Sequence, residues 1–199
     1  MFVKKLEIKN WRNYDHASIT LDKGVNIVLG NNAQGKTNLM EAVYLCSVGR
    51  SARTPRDKEL IQWGQAQSYV GAVVERRLGS CKIEIIVDQR TNKRVAIGGI
   101  PLVKLGELMG ECRCVYFSPD ELKIIKDAPS ERRKFIDIAL CQISKPYFYA
   151  LSEYGKNLAQ RNKLLKQYKT SQDTLDIWDA QLAKAGAKII KSRRGFVRE

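Results

Sequence analysis

Histidine is nearly absent, with His16 alone in 199 residues. A zinc site or a Ser-His-Asp triad therefore has almost nothing to draw on. Cysteine is sparse and unpatterned: Cys46, Cys81, Cys112, Cys114 and Cys141 make an odd count with no CxxC pair. The Cys112-Arg113-Cys114 spacing is too short for a zinc hairpin. These five read as reduced, mostly buried small hydrophobes of a cytosolic protein. Long apolar runs are missing as well, since no stretch approaches the roughly 18 to 20 residues that a membrane span requires. Met1 to Asn10 alternates charged and aliphatic residues without a small-residue cleavage site, so no secretory leader is expected. Repeats and low-complexity tracts are also lacking. With 44% hydrophobic and 28% charged residues, the chain has the composition of an ordinary globular protein.

Positive charge is what the sequence has in excess. Lys+Arg number 35 against 21 Asp+Glu, a net charge of +14. That balance predicts a polyanionic partner, most simply nucleic acid. An acidic membrane surface fits less well, because no basic amphipathic helix opens the chain. The excess is uneven: residues 1–129 carry 20 basic and 14 acidic side chains, residues 130–199 carry 15 and 7.

The two stretches also differ in pattern. Up to about residue 128 the chain reads as short strands separated by turn residues: Phe2 to Ile8, Val25 to Leu29, Tyr69 to Arg76, Cys81 to Asp88, Arg94 to Ile97, Ile100 to Val103 and Cys114 to Phe117. The even spacing of several of these suggests an antiparallel meander beside a helix that starts after Gly35 and carries Leu39, Val43 and Cys46 on one face. From residue 129 the strands stop. Ser130 is placed to cap a first helix, a second runs from about Tyr147 to Tyr168 after Pro146, and a third starts near Thr174. The expectation is an α/β lobe over 1–128 and a helical lobe over 129–199. No firm stop closes the third helix before Glu199, apart from a candidate C-cap at Gly195, so the natural chain is expected to continue.

The chemistry lies in Gly30-Asn31-Asn32-Ala33-Gln34-Gly35-Lys36-Thr37, a complete GxxxxGK[ST] phosphate-binding loop between an aliphatic run and an apolar-periodic helix. Gly30 and Gly35 permit a tight turn and close approach of backbone to phosphate. Backbone N–H groups from Asn32 to Thr37 join the positive end of the helix. Lys36 reaches the β- and γ-phosphates, and the Thr37 hydroxyl is placed to hold Mg²⁺. The loop alone leaves open small-molecule kinases, GTPases, helicases and ABC-type ATPases. No run of four aliphatics closed by Asp and Glu supplies a Walker B strand, and no signature loop of the Ser-Gly-Gly/Gln kind follows.

Five separated motifs then occur in order. They are Leu6-Glu7-Ile8-Lys9-Asn10-Trp11-Arg12-Asn13-Tyr14, the loop through Asn38, Gly49 to Thr54 with Arg56 to Leu60, Phe117 to Leu122, and Pro129 to Asp137. In these the chain resembles the RecF family of bacterial DNA repair proteins, and more loosely the heads of SMC and Rad50 proteins. The resemblance implies an ABC-type ATPase head of two lobes: a mixed-sheet lobe I with antiparallel strands and a helical lobe II, truncated here. It implies a weak ATPase when full length, whose Walker B and signature motifs lie in the second half of the chain, and no turnover by these residues alone. ATP with Mg²⁺ would close a homodimer as a clamp at gapped or single-strand/double-strand DNA. RecR/RecO-type mediators would be helped to load RecA, with links to replication and the SOS response, in the cytoplasm.

Carried over by residue, the resemblance implies that Gly30, Asn31, Asn32, Ala33, Gln34, Gly35, Lys36, Thr37 and Asn38 hold ATP. Arg12 matches an arginine that lies near the nucleotide. Ser118-Pro119-Asp120 falls near the position of the ABC-type glutamine loop but contains no glutamine, with Asp120, Glu121 and the later Gln142 as candidates. Arg161, Lys163, Lys166, Lys188, Arg193 and Arg194 are the expected contacts to DNA phosphates, blind to sequence. Arg50, Arg53, Arg56 and Lys58 form a second basic cluster that fits DNA, nucleotide or a second subunit equally. Trp11, Trp63 and Trp178 are expected to pack. An SMC/Rad50-type DNA-tethering head and a P-loop small-molecule kinase are the alternative readings.

Overall fold

The chain divides into two compact units, Met1–Ser118 and Pro119–Glu199. The computed structural model describes residues 1–119, 123–126, 128–166 and 171–198. Asp120, Glu121, Leu122 and Tyr168, named from the sequence above, lie outside them.

In the first unit six strands form one antiparallel sheet in the order β2-β1-β3-β4-β5-β6. They are β1 (Phe2–Trp11), β2 (Tyr14–Thr20), β3 (Gln67–Arg76), β4 (Gly79–Asp88), β5 (Arg94–Ile97) and β6 (Ile100–Pro101). Register explains the core. Leu6 pairs with Ala72, which pairs with Ile83, while Ile8 pairs with Val70, which pairs with Ile85. Since side chains alternate between faces, all six point to one side, and all are buried. The helix α1 (Lys36–Val48) lies against β1, β3 and β4 and contributes Leu39, Ala42, Leu45 and Cys46. The opposite face is polar: Tyr69 donates to Glu84 at 2.9 Å between the ammonium groups of Lys9 and Lys82.

Three strand expectations need correction. β2 was not foreseen, because Tyr14–Thr20 is an edge strand of mostly polar residues whose connection, Arg12-Asn13, lacks glycine. Conversely, Val25 to Leu29 and Cys114 to Phe117 carry no ladder. Val25, Ile27 and Leu29 are 89%, 76% and 86% exposed, and Val115 and Phe117 are exposed too. An aliphatic run becomes a strand only where a neighbour supplies hydrogen bonds, and among the described residues none does.

The second unit is helical: α2 (Lys123–Lys126), α3 (Pro129–Ile143), α4 (Lys145–Leu164) and α5 (Gln172–Arg198). Here Pro129 takes the first helical position after Ala128, so Ser130 lies inside α3 rather than capping it. Ser144 caps α4 by accepting the Tyr147 N–H at 3.3 Å, and Pro146 sits in the first turn, where its missing N–H has no helical partner to lose. Contacts Arg161–Asp179 and Tyr154–Gly186 run backwards along α5 as they run forwards along α4, so these two helices are antiparallel.

The apolar core of this unit is thin, comprising Leu140, Cys141, Tyr147, Ala150, Ala185 and Ile189. A polar clamp supplements it. Asp137 on α3 accepts two bonds from Arg193 on α5, at 2.8 Å each, and a third at 2.5 Å from the Tyr147 hydroxyl on α4. Burial, with the carboxylate beside it, pushes the Tyr147 hydroxyl well above its ordinary pKa. Truncation of Asp137 removes the counter-charge of a partly buried guanidinium and leaves it the Tyr147 hydroxyl at 3.2 Å, so Asp137→Ala is expected to cost about 2 kcal/mol. Urea unfolding followed by far-UV circular dichroism measures this; a loss below about 1 kcal/mol would show the clamp to be ornamental.

Candidate functional site: a phosphate loop braced by a buried carboxylate

Residues 30–34 are exposed at the end of the unpaired run, and Gly35 and α1 follow directly. Gly30 (φ +149°), Ala33 (φ +65°) and Gly35 (φ +100°) carry the chain through conformations that fold the loop back on itself. Gly35 is the N-cap of α1 and offers no side-chain acceptor, and the first turn holds no acidic residue. The positive end of α1 is thus left to an anion. Lys36 folds over the loop, its ammonium donating to the Gly30 carbonyl at 2.6 Å and the Asn31 carbonyl at 2.7 Å. Thr37 is exposed and offers one hydroxyl, which suits an ion that keeps water and phosphate oxygens as its other ligands. No group of three or more His, Cys, Asp or Glu residues able to hold a metal occurs among the described residues.

The second glycine has a reason the sequence did not show. A Cβ on Gly35 would lie 2.7 Å from both Asn13 Oδ1 and Tyr14 Cε2. The Asn13 and Tyr14 side chains at the β1–β2 turn therefore crowd the loop from behind, and with φ +100° a side chain at Gly35 is disfavoured before any ligand is considered. The same turn holds Asn38: Trp11 Nε1 donates to its carbonyl at 2.8 Å, and its side-chain amide donates to Asn13 Oδ1 at 2.8 Å.

Arg12 lies in this turn, and its guanidinium is given to a residue that sequence reasoning passed over. Glu41 of α1 is completely buried, and Arg12 grips it through Nη2 at 2.9 Å and Nε at 3.1 Å. The Ser51 hydroxyl donates to the same carboxylate, and Arg53 Nη1 lies 3.6 Å from it while donating to Asn38 Oδ1 at 2.8 Å. Glu41 sits among Ala42, Leu45 and Cys46 on the face of α1 that packs inward. A glutamate at an apolar-periodic position is the signal that would have found it.

Of the second basic cluster, Arg53 joins this network, Arg56 faces Glu59 at 3.6 Å, and Arg50 and Lys58 are exposed. Asp88, which ends β4, uses its carboxylate within its own turn, accepting the N–H groups of Arg90 at 2.7 Å and Thr91 at 3.0 Å. Those bonds hold it below the usual carboxylate range. In the helical unit, Gln142 is buried, with its amide 3.5 Å from the Ile138 carbonyl. Two of the expected DNA contacts are committed internally: Arg161 to Asp179 and Arg193 to Asp137. Lys163, Lys166, Lys188 and Arg194 remain exposed. Trp11 is buried and Trp178 partly so, but Trp63, expected to pack, is 98% exposed. Burial pushes the Cys46 thiol far up and Cys112 up to about 12, which makes both poor nucleophiles.

The AAA domain family matches residues 5–193. A protein called DNA replication and repair protein RecF from Clostridium kluyveri is 46% identical over all of this chain and 55% of its own length. One of the same name from Alkaliphilus oremlandii is 44% identical over all of this chain and 54% of its own. The chain thus spans about half the length of the curated relatives it matches. Among solved structures, that of the recombination mediator protein RecF-ATP in the RecFOR pathway superposes with a TM-score of 0.94 at 38% identity, covering 99% of this chain and 54% of that one. An SMC ATPase structure matches at 22% identity and a TM-score of 0.57, covering 69% of this chain and 99% of that one, a likeness of fold alone.

The two loop glycines are expected to differ when replaced. Both have positive φ, but Gly35→Ala also meets two contacts at 2.7 Å, whereas the nearest atom to a Cβ on Gly30 is Gln34 Cβ at 4.0 Å. Gly35→Ala should cost about 3 kcal/mol and Gly30→Ala about 1 kcal/mol. Thermal denaturation without any ligand tests this, and equal losses would refute the bracing of Gly35 by the β1–β2 turn.

Proposed function

The chain belongs to the AAA domain family and is homologous along its whole length to RecF proteins, and on that footing we propose that it binds ATP at Gly30–Asn38 as part of an ATP-controlled DNA repair machine. The observation that supports this most directly is the loop itself. A GxxxxGKT sequence folds back on three residues of positive φ, ahead of a helix that has neither cap nor acid at its positive end. Lys36 neutralises the outer phosphates, and Thr37 holds Mg²⁺ together with phosphate oxygens and water. ATP shared between two heads closes a homodimer, and hydrolysis reopens it. Closure clamps DNA at gaps and single-strand/double-strand junctions, where RecR/RecO-type mediators load RecA in recombinational repair, replication and the SOS response.

On this reading Lys36→Ala removes nucleotide binding with little effect on stability, since the ammonium touches only exposed loop carbonyls. Titration calorimetry with MgATP should show at least a tenfold weaker Kd. Light scattering should show that the ATP-dependent shift to dimer has gone; a mutant that still dimerises with ATP would refute the glue role.

DNA contacts are assigned to the lysine face of α5 and its neighbours. Lys184, Lys188 and Lys191 recur at helical spacing, are exposed, and have no ion-pair partner among the described residues. No acidic residue occurs from 180 to 198. They span about 10 Å of helix, enough to meet successive phosphates of one strand. Reversal of all three to Glu should weaken binding to duplex and gapped DNA in fluorescence anisotropy and lower the salt slope by about 3. An unchanged slope would place the contacts elsewhere.

A further inference from the structure

One carboxylate gathers segments that are remote in sequence. Glu41 lies five residues beyond Lys36 with its side chain out of water, and it is bonded by Arg12, by Ser51 and, more loosely, by Arg53. Such a charge is retained only if its partners neutralise it and satisfy its lone pairs. Arg12 supplies a two-bonded fork, the strongest arrangement available to a carboxylate.

What this holds in place is the back of the phosphate loop. Arg12 has φ +52°, a conformation that a long L side chain keeps only when its surroundings over-determine it. Arg12 is tied on three sides: its side chain to Glu41 and to the Glu59 carbonyl at 2.9 Å, and its own N–H to the Leu60 carbonyl at 2.9 Å. On either side of it, Trp11 and Asn13 bond Asn38, and Asn13 and Tyr14 press on Gly35. Gly35 and Asn38 flank Lys36-Thr37, the two residues at the anion-facing end of α1.

We propose that Glu41 is a positioning residue of the nucleotide site: through Arg12 it fixes the β1–β2 turn against Gly35 and Asn38, and so aims the first N–H groups of α1 at the triphosphate. This rests on the ATP reading above. Arg12 then serves the nucleotide from behind, without having to touch it. Ser51 extends the brace, because its hydroxyl also accepts the N–H groups of Arg53 at 2.9 Å and Thr54 at 3.0 Å and so ties down the loop that follows α1.

A merely structural role is separated by a matched control. Glu41→Gln cuts the Arg12 clamp, and Asp137→Asn cuts the comparable Arg193 clamp in the helical unit. Both should lower the melting temperature. At a temperature where circular dichroism shows both folded, only Glu41→Gln should weaken MgATP in titration calorimetry, by about tenfold, with a similar loss for inorganic tripolyphosphate. Arg12→Lys keeps the charge but not the fork; it should fold even if Glu41→Gln does not, and lose about threefold. Unchanged ATP affinity in Glu41→Gln or, if that variant fails to fold, in Arg12→Lys overturns the proposal and leaves the ATP reading intact. So does an equal loss in Asp137→Asn, which would trace the effect to stability alone. Absence of ATP binding by the unmodified chain refutes the ATP reading and this inference together.

Discussion

Burying a carboxylate sets conditions on everything around it. Glu41 is shielded from water on α1, and the cations that make this tolerable come from β1–β2 and from the segment after α1. The charge is neutralised only when all three segments are in register. Buried ion pairs add little net stability over a well-packed apolar substitute, while loss of one partner is costly. Such a pair therefore acts less as glue than as a condition on assembly. Arg12 keeps a left-handed conformation with its guanidinium committed to Glu41, and on the proposal above the phosphate loop inherits the geometry of that turn.

The same chemistry recurs in the helical unit, with a consequence for where the positive charge ends up. Arg161 and Arg193 reach across between helices to Asp179 and Asp137, and in the first unit Arg76 at the end of β3 pairs with Glu111 in a turn. Arginine suits this because its planar fork matches a carboxylate and is weakly hydrated, whereas a lysine ammonium is better left in water. The lysines of α4 and α5 are accordingly at the surface. Lys93 is an exception: its ammonium bonds both the Gly49 carbonyl and Asp57, closing the meander onto the end of α1. A count of basic residues therefore overstates the charge offered to a partner, and the arginines are the ones to discount first.

What could be read from the sequence was what is encoded locally. The phosphate loop, its helix, the strands β3 to β5 and the helices α3 to α5 all follow from spacing and turn residues, because each needs only its neighbours in the chain. What could not be read depends on partners. β2 is a polar edge strand that exists because β1 pairs it, and the turn between them carries Arg12, whose partner Glu41 lies 29 residues further on. Val25 to Leu29 and Cys114 to Phe117 have the composition of buried strands, but among the described residues no neighbour pairs them, and Val25, Ile27, Leu29, Val115 and Phe117 are exposed. Arg161 and Arg193 look in sequence like any other basic residue on a helix. Only the position of an aspartate on another helix turns them inward.

The chain presents positive charge in two forms with different physics. At the phosphate loop it is concentrated and preorganised: Lys36, the uncapped end of α1, and two arginines sharing the single negative charge of Glu41. A compact anion bound there meets these charges at contact distance, well inside a Debye length, so its binding depends less steeply on salt than that of an extended polyanion. Along α5 the charge is spread over mobile, hydrated lysines that contact an anion only by displacing its counterions, which makes that binding steeply salt-dependent. A small, dense phosphate chain fits the first form, and a long, regular one fits the second.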